Sequence, residues 1–140
     1  MSESAASVVS LISVLEAPFE TQANRAAATA SLETYRTTAP AQIIAHDAIT
    51  SLVHRNQPTA VRNFGFAALT HVVRARWNEL NENERVQMLA SAMDLWKGVA
   101  APGDAVQEPC LVRTKASALL ADACRRVGTT PSRRAWPVEA

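Results

Sequence analysis

Glycine is scarce in this chain, four in 140 residues, while alanine is abundant, so the residue most costly inside a helix is rare and the best helix former is common. That balance favours helix before any pattern is read. Charge of one sign is also missing. Fourteen Lys+Arg face thirteen Asp+Glu, a formal charge of +1, which leaves no global field of the kind that draws a protein onto nucleic acid. The two cysteines, Cys110 and Cys124, have no CxxC and no Cys/His ligand cluster around them. A disulfide framework and a zinc site are therefore both unsupported, and a reducing compartment is expected. No apolar run reaches the roughly 18 residues that cross a bilayer, and MSESAASVVSLISVLEAPFE has no basic segment ahead of its apolar stretch and no small-residue cleavage site. The sequence thus predicts a soluble, intracellular protein with no membrane association. Its length suits one domain, and its 48% AVILMFWYC and 19% DEKR are ordinary for a globular chain.

What is present is helical periodicity, in six segments separated by breakers and caps. The first runs from about Ser4 to Glu16, with Val8, Leu11, Ile12 and Leu15 on one stripe, and Pro18 closes it. The second, about Phe19 to Arg36, ends before Thr37-Thr38-Ala39-Pro40. Pro40 suits the first turn of a third, which continues to about His54 with Ala41, Ile44, Ala45, Ala48, Ile49 and Leu52 on one side. The fourth, about Thr59 to Asn78, places Val61, Phe64, Gly65, Phe66, Ala68, Leu69, Val72, Val73 and Trp77 over more than half its circumference, as a helix packed on two sides requires. Asn81 and Glu84 form a capping box that opens a fifth to about Ala101, whose apolar stripe is Val86, Met88, Leu89, Ala92, Met93, Leu95, Trp96 and Val99. After the Pro- and Gly-containing loop AAPGDAVQEPC, a sixth helix runs from about Leu111 to Val127 with Gly128 as its C-cap. The tail from Thr129 to Ala140 is expected to be poorly ordered. No strand is needed, and three antiparallel pairs of about forty residues match the period of a HEAT-type solenoid, although no internal sequence repeat stands out.

Catalytic and metal chemistry find little support. His46 and His54 lie eight apart on the predicted third helix, on the order of 12 Å along its axis, too far for two side chains to share a metal through bonds of roughly 2 Å. His71 sits on another helix, and all three read as exposed polar-stripe residues. Cys124 is expected on the apolar side of the sixth helix as a small buried thiol, and Cys110 in the preceding loop. No GxSxG, HExxH or P-loop pattern occurs. Glu82 and Glu84 complement the positive end of the fifth helix. Phe64, Trp77 and Trp96 lie in apolar stripes and read as core, not as a stacking platform for single-stranded nucleic acid. The expectation is a protein that is not an enzyme and carries no cofactor and no metal.

The stretch VRNFGFAALTHVVRARWNELNENERVQMLASAMDLW carries a resemblance. Arg62, Phe64-Gly65, Leu69, His71, Val73, Arg74 and Arg76-Trp77, followed by the short capped turn Asn78-Glu79-Leu80, are similar to the second helix pair of the HASTY-type exportins of the importin-β superfamily, which carry double-stranded small-RNA precursors. Ser31-Leu32-Glu33 and KASALLADACRRVG, Lys115 to Gly128, resemble that family's second and sixth helices more loosely, so that about residues 5 to 128 are covered. The resemblance implies an all-α, armadillo-type fold, a right-handed α-α superhelix of about three HEAT-like antiparallel helix pairs over residues 1–128. Because the family continues into many further pairs, it also implies a fragment or truncated relative.

In that superfamily the first helix pairs bind the GTP form of Ran, chiefly through the second helix of each pair. If this carries over, the polar stripe of the fourth helix, Asn63, Thr70, His71 and Arg74, and that of the sixth, Lys115, Asp122, Arg125 and Arg126, would face Ran; a solvated surface is the alternative for each. Small double-stranded RNA or protein cargo would be handled only by a longer chain, since a near-neutral domain of this size supplies few phosphate contacts. The implied location is nucleus and cytoplasm. The competing reading is a helical-repeat scaffold that binds another protein without transport activity.

Overall fold

The computed structural model describes residues 2–100 and 110–128; at Val99, Ala100, Cys110, Leu111, Val127 and Gly128 only the backbone is described. The tail after Gly128 and the loop expected between Ala100 and Cys110 fall outside the described residues. Among the described residues every element is helical: α1 (Glu3–Glu16), α2 (Gln22–Thr38), α3 (Ala41–Asp47) running into a π-helical turn (Ala48–Leu52), α4 (Thr59–Ala75), a 3-10 turn (Trp77–Glu79), α5 (Glu82–Ala100) and α6 (Cys110–Gly128). The chain divides into two compact units, Met1–Leu69 and Thr70–Ala140.

In the first unit, α1 starts where the Ser2 hydroxyl accepts the Ala5 N–H at 3.1 Å, and it buries Ala5, Val8 and Ile12 against α2. Leu11 and Leu15, expected on the same stripe, are half-buried at its margin. Arg25 of α2 donates through Nη2 to the Ala17 carbonyl at 2.6 Å, closing the end of α1 with a cation as the helix dipole favours. The sequence placed the start of α2 at Phe19, but Phe19 stands 97% exposed in the turn and the cap is Thr21, whose hydroxyl accepts the Asn24 N–H at 3.2 Å. The far end also differs. Thr37 and Thr38 bond back through their hydroxyls to the Glu33 and Thr34 carbonyls at 2.9 and 2.6 Å, which carries the helix two residues past Arg36 until Pro40 stops it.

The third helix is where the expected boundary fails most. A regular helix to His54 gives way at Ala48 to a π turn closed by the Val53 N–H on the Ala48 carbonyl at 3.1 Å, and His54 lies beyond it in a turn. Pro40 is the residue before α3, not part of its first turn. Opposite the π turn sits Gly65 of α4. A Cβ placed there would lie 2.9 Å from both Leu52 Cβ and Val53 Cγ1, so the helix can approach this closely only because no side chain intervenes. Arg62, buried to 6% exposure, donates through Nε to the Val53 carbonyl at 3.2 Å, and Phe64 packs beside Tyr35 with ring centroids 6.4 Å apart.

In the second unit, α4 ends at Ala75 and Trp77 begins the short 3-10 turn, buried to 4% exposure with Arg85 5.7 Å above its ring. The capping box forms as expected: Glu84 N–H to Asn81 Oδ1 and Asn81 N–H to Glu84 Oε1, each 2.8 Å. α5 and α6 pack on each other, burying Met88, Leu89 and Ala92 from one and Val112, Ala116, Leu119 and Ala123 from the other. Three residues expected in the stripe of α5 are exposed instead: Val86, Met93 and Trp96. Val86 and Met93 sit roughly a quarter to a third of a turn from Ala92 at 100° per residue, outside the arc that α6 covers. The same arithmetic corrects Cys124, which lies next to the buried Ala123 on the uncovered flank of α6 and is exposed. Cys110 opens α6 and is not part of a loop.

The two described helical glycines with known surroundings should respond oppositely to added bulk. Nothing lies within 4 Å of a Cβ built on Gly98, so Gly98→Ala should raise stability by up to about 1 kcal/mol, while Gly65→Val should lower it by about 1–3 kcal/mol. Urea denaturation midpoints of the two variants check both signs.

Candidate functional site

Of the residues expected to face a partner, Asn63 belongs to the first unit and is exposed; Thr70, His71, Arg74, Lys115, Asp122, Arg125 and Arg126 belong to the second. The structure gathers four of these seven at one cleft, three arginines and a buried acid. Asp122, on α6 with its side chain only 5% exposed, accepts Arg74 Nε on Oδ2 at 2.8 Å and Arg125 Nη2 on Oδ1. The two guanidinium groups reach it from opposite elements, one from the last turn of α4 and the other from one turn further along α6.

Arg126 is engaged differently. Its Nε donates to the Val73 carbonyl at 2.9 Å and its Nη2 to the Arg74 carbonyl. Those carbonyls belong to the final turn of α4, where no following helical amide remains to satisfy them, and a cation there also meets the negative end of the helix dipole. Val73, Arg74, Asp122, Arg125 and Arg126 together line an open cleft of about 320 Å³. Thr70, His71 and Lys115 are half-buried and do not line it.

A second buried acid was not singled out by sequence reasoning. Asp47, 1% exposed, accepts hydroxyl donors from Ser2 at 2.6 Å, from Ser4, and from Tyr35 at 2.8 Å. Burial, the hydrogen bond to Asp47 and the nearby negative charge push the Tyr35 phenol well above its ordinary value of 10.0. The available signal was position alone: Asp47 falls in the middle of the apolar set Ala41, Ile44, Ala45 and Ala48, where an acid needs a partner. Another cleft of the first unit, about 230 Å³, is lined mainly by apolar groups of Ile12, Ala17, Pro58, Ala60 and Val61 with Glu16 and Ser13.

His46 and His54 are exposed and His71 half-buried, and among the described residues no three His, Cys, Asp or Glu side chains are grouped so as to hold a metal ion. No described helix is long and apolar enough to cross a membrane. Phe64 is half-buried and Trp77 buried, while Trp96 is 39% exposed. Compared with known proteins, the chain matches no protein-family model and no curated protein.

Two measurements follow from these networks. Arg126→Gln, which unpairs helix-end carbonyls, should destabilise by about 1–2 kcal/mol, whereas Arg125→Gln breaks an ion pair whose cation is largely solvated and should cost under about 1 kcal/mol; thermal unfolding of both variants separates them. Because the folded-state pKa of Tyr35 is raised, its contribution to stability is complete below pH 10 and declines as pH rises past that value, when the unfolded chain can ionise and the folded one resists. Tyr35 is the single tyrosine, so tyrosinate absorbance should appear at higher pH in the folded chain than in denaturant, and Tyr35→Phe should flatten the alkaline fall in stability.

Proposed function

We propose that this chain is the N-terminal, Ran-facing part of a nuclear export receptor, a right-handed superhelix of about three HEAT-like helix pairs that acts by binding and not by catalysis. Its partner is Ran in the GTP form, and it takes part in transport of small RNA precursors or proteins between nucleus and cytoplasm, with cargo held only by a longer chain. The observation that supports the reading is the match of Arg62, Phe64-Gly65, Leu69, His71, Val73, Arg74 and Arg76-Trp77 to the exportin pattern. Within it, the structural reasons for several residue types are visible: Gly65 permits a close approach, Arg62 caps the Val53 carbonyl, and Trp77 is buried at the turn. Arg74 of the same stretch remains exposed at its outer side and available to a protein partner.

A second reading, a helical scaffold that binds another protein without transport activity, is favoured by the exposed apolar residues Val86, Met93 and Trp96 on α5. The two readings part on nucleotide dependence. Pull-down with Ran should retain the GTP-loaded form and not the GDP-loaded form, and Arg74→Glu should weaken that retention at least about tenfold, as expected when one charge of an interfacial contact is reversed. Equal retention of both nucleotide forms, or of neither, would overturn the export reading and leave the scaffold.

A further inference from the structure

We infer that the cleft between the end of α4 and the end of α6 is a docking site for a phosphorylated serine or threonine side chain of a protein partner. The argument begins with hydrogen-bond donors. Arg74 directs only Nε at Asp122 and Arg125 only Nη2, and both side chains remain about two-thirds exposed, at 64% and 68%. Both Nη groups of Arg74, and Nε and Nη1 of Arg125, therefore have no protein acceptor among the described residues. Asp122, being buried, holds the two guanidinium planes in place from below, so that the entropy of ordering two long side chains is already spent within the folded chain.

Charge points the same way. Three guanidinium groups and one carboxylate line a cleft of about 320 Å³, a formal surplus of two positive charges before the partial negative ends of the two helices are subtracted. Arg126 already offsets the end of α4 by donating to its carbonyls. A phosphomonoester carries about −1.5 to −2 near neutral pH and three acceptor oxygens, enough to accept from Arg74 and Arg125 together; a carboxylate brings one charge and two oxygens. The surplus is also local. The chain as a whole has a formal charge of +1, which does not provide the extended series of phosphate contacts that a nucleic-acid backbone uses, so a single phosphorylated side chain fits better than a strand.

This inference stands on the cleft alone and not on the Ran reading: its test contains no Ran, and either one can fail without the other. The full chain is titrated, by calorimetry or by amide chemical shifts, with a short phosphoserine peptide, with the same peptide carrying Glu in place of phosphoserine, and with a 5′-phosphorylated single-stranded oligonucleotide. Saturable binding of the phosphopeptide is expected, with shifts centred on residues 73–74 and 122–126. Affinity should rise as pH increases through the second phosphate ionisation near about 6, a range in which a Glu side chain does not titrate. Arg74→Ala and Arg125→Ala should each weaken binding about tenfold in protein that is still fully folded at the titration temperature, and Arg125→Lys should restore only part of it. The inference is overturned if the Glu peptide binds as tightly, if the oligonucleotide binds more tightly than the phosphopeptide, or if the arginine variants that remain folded bind the phosphopeptide as the parent does.

Discussion

A carboxyl group taken out of water must be given hydrogen-bond partners, and the first unit is arranged around meeting that demand for Asp47. The donors come from separate places: Ser2 and Ser4 at the start of α1, and Tyr35 near the end of α2. Each hydroxyl is useful only if its helix arrives at the correct height and rotation. The apolar contacts of Ala5, Val8, Ile12, Ala28 and Leu32 are less particular, since small aliphatic groups tolerate sliding past one another. Hydrophobic burial thus brings α1, α2 and α3 together, and the acid fixes their register. Ser2 has a double part, capping α1 through its acceptor lone pair while its proton goes to Asp47.

The second unit meets the same demand with cations. Asp122 is satisfied by Arg74 and Arg125, so its charge is neutralised more than once over, whereas the three donors of Asp47 are all neutral hydroxyls. The difference has a structural origin. Asp47 sits on a short helix among the buried Ala41, Ala45 and Ala48; Asp122 lies near a helix end beside an open cleft, where arginine stems run along the surface with their charged ends wet. One acid therefore serves packing, and the other leaves unused donors pointing outward.

Much of this was legible in the sequence, and what was not has recognisable causes. The existence of all six helices and the capping box at Asn81 and Glu84 follow from periodicity and cap chemistry, which are local; the fourth helix, expected to be apolar over more than half its circumference, buries a narrower face through Val61, Phe66, Ala68, Leu69, Val72 and Val73. The start of α2 and the end of α3 differ from expectation because an apolar pattern does not mark them: Thr21 caps the helix in place of the Phe19 region, and a π turn replaces a continuing helix. The exposed Val86, Met93 and Cys124 were misassigned because an apolar stripe shows which residues could be covered and not how wide the covering neighbour is. The stripe residues Arg74, Asp122, Arg125 and Arg126 could be named as polar from the wheel, but that one is buried, two pair with it and one ends a helix depends on contacts some fifty residues apart along the chain.

Gly65 and the π turn at Ala48–Leu52 can be seen as one joint with two halves. The extra residue in the turn brings Leu52 and Val53 up to α4, and the missing side chain of Gly65 leaves room for them. A relative that had straightened the turn would leave a void at this point, and one that had gained a side chain would collide. Only the paired change keeps the interior filled, so these two positions, more than a dozen residues apart in the chain, should drift through evolution in step, and a redesign of either should begin by redrawing the other.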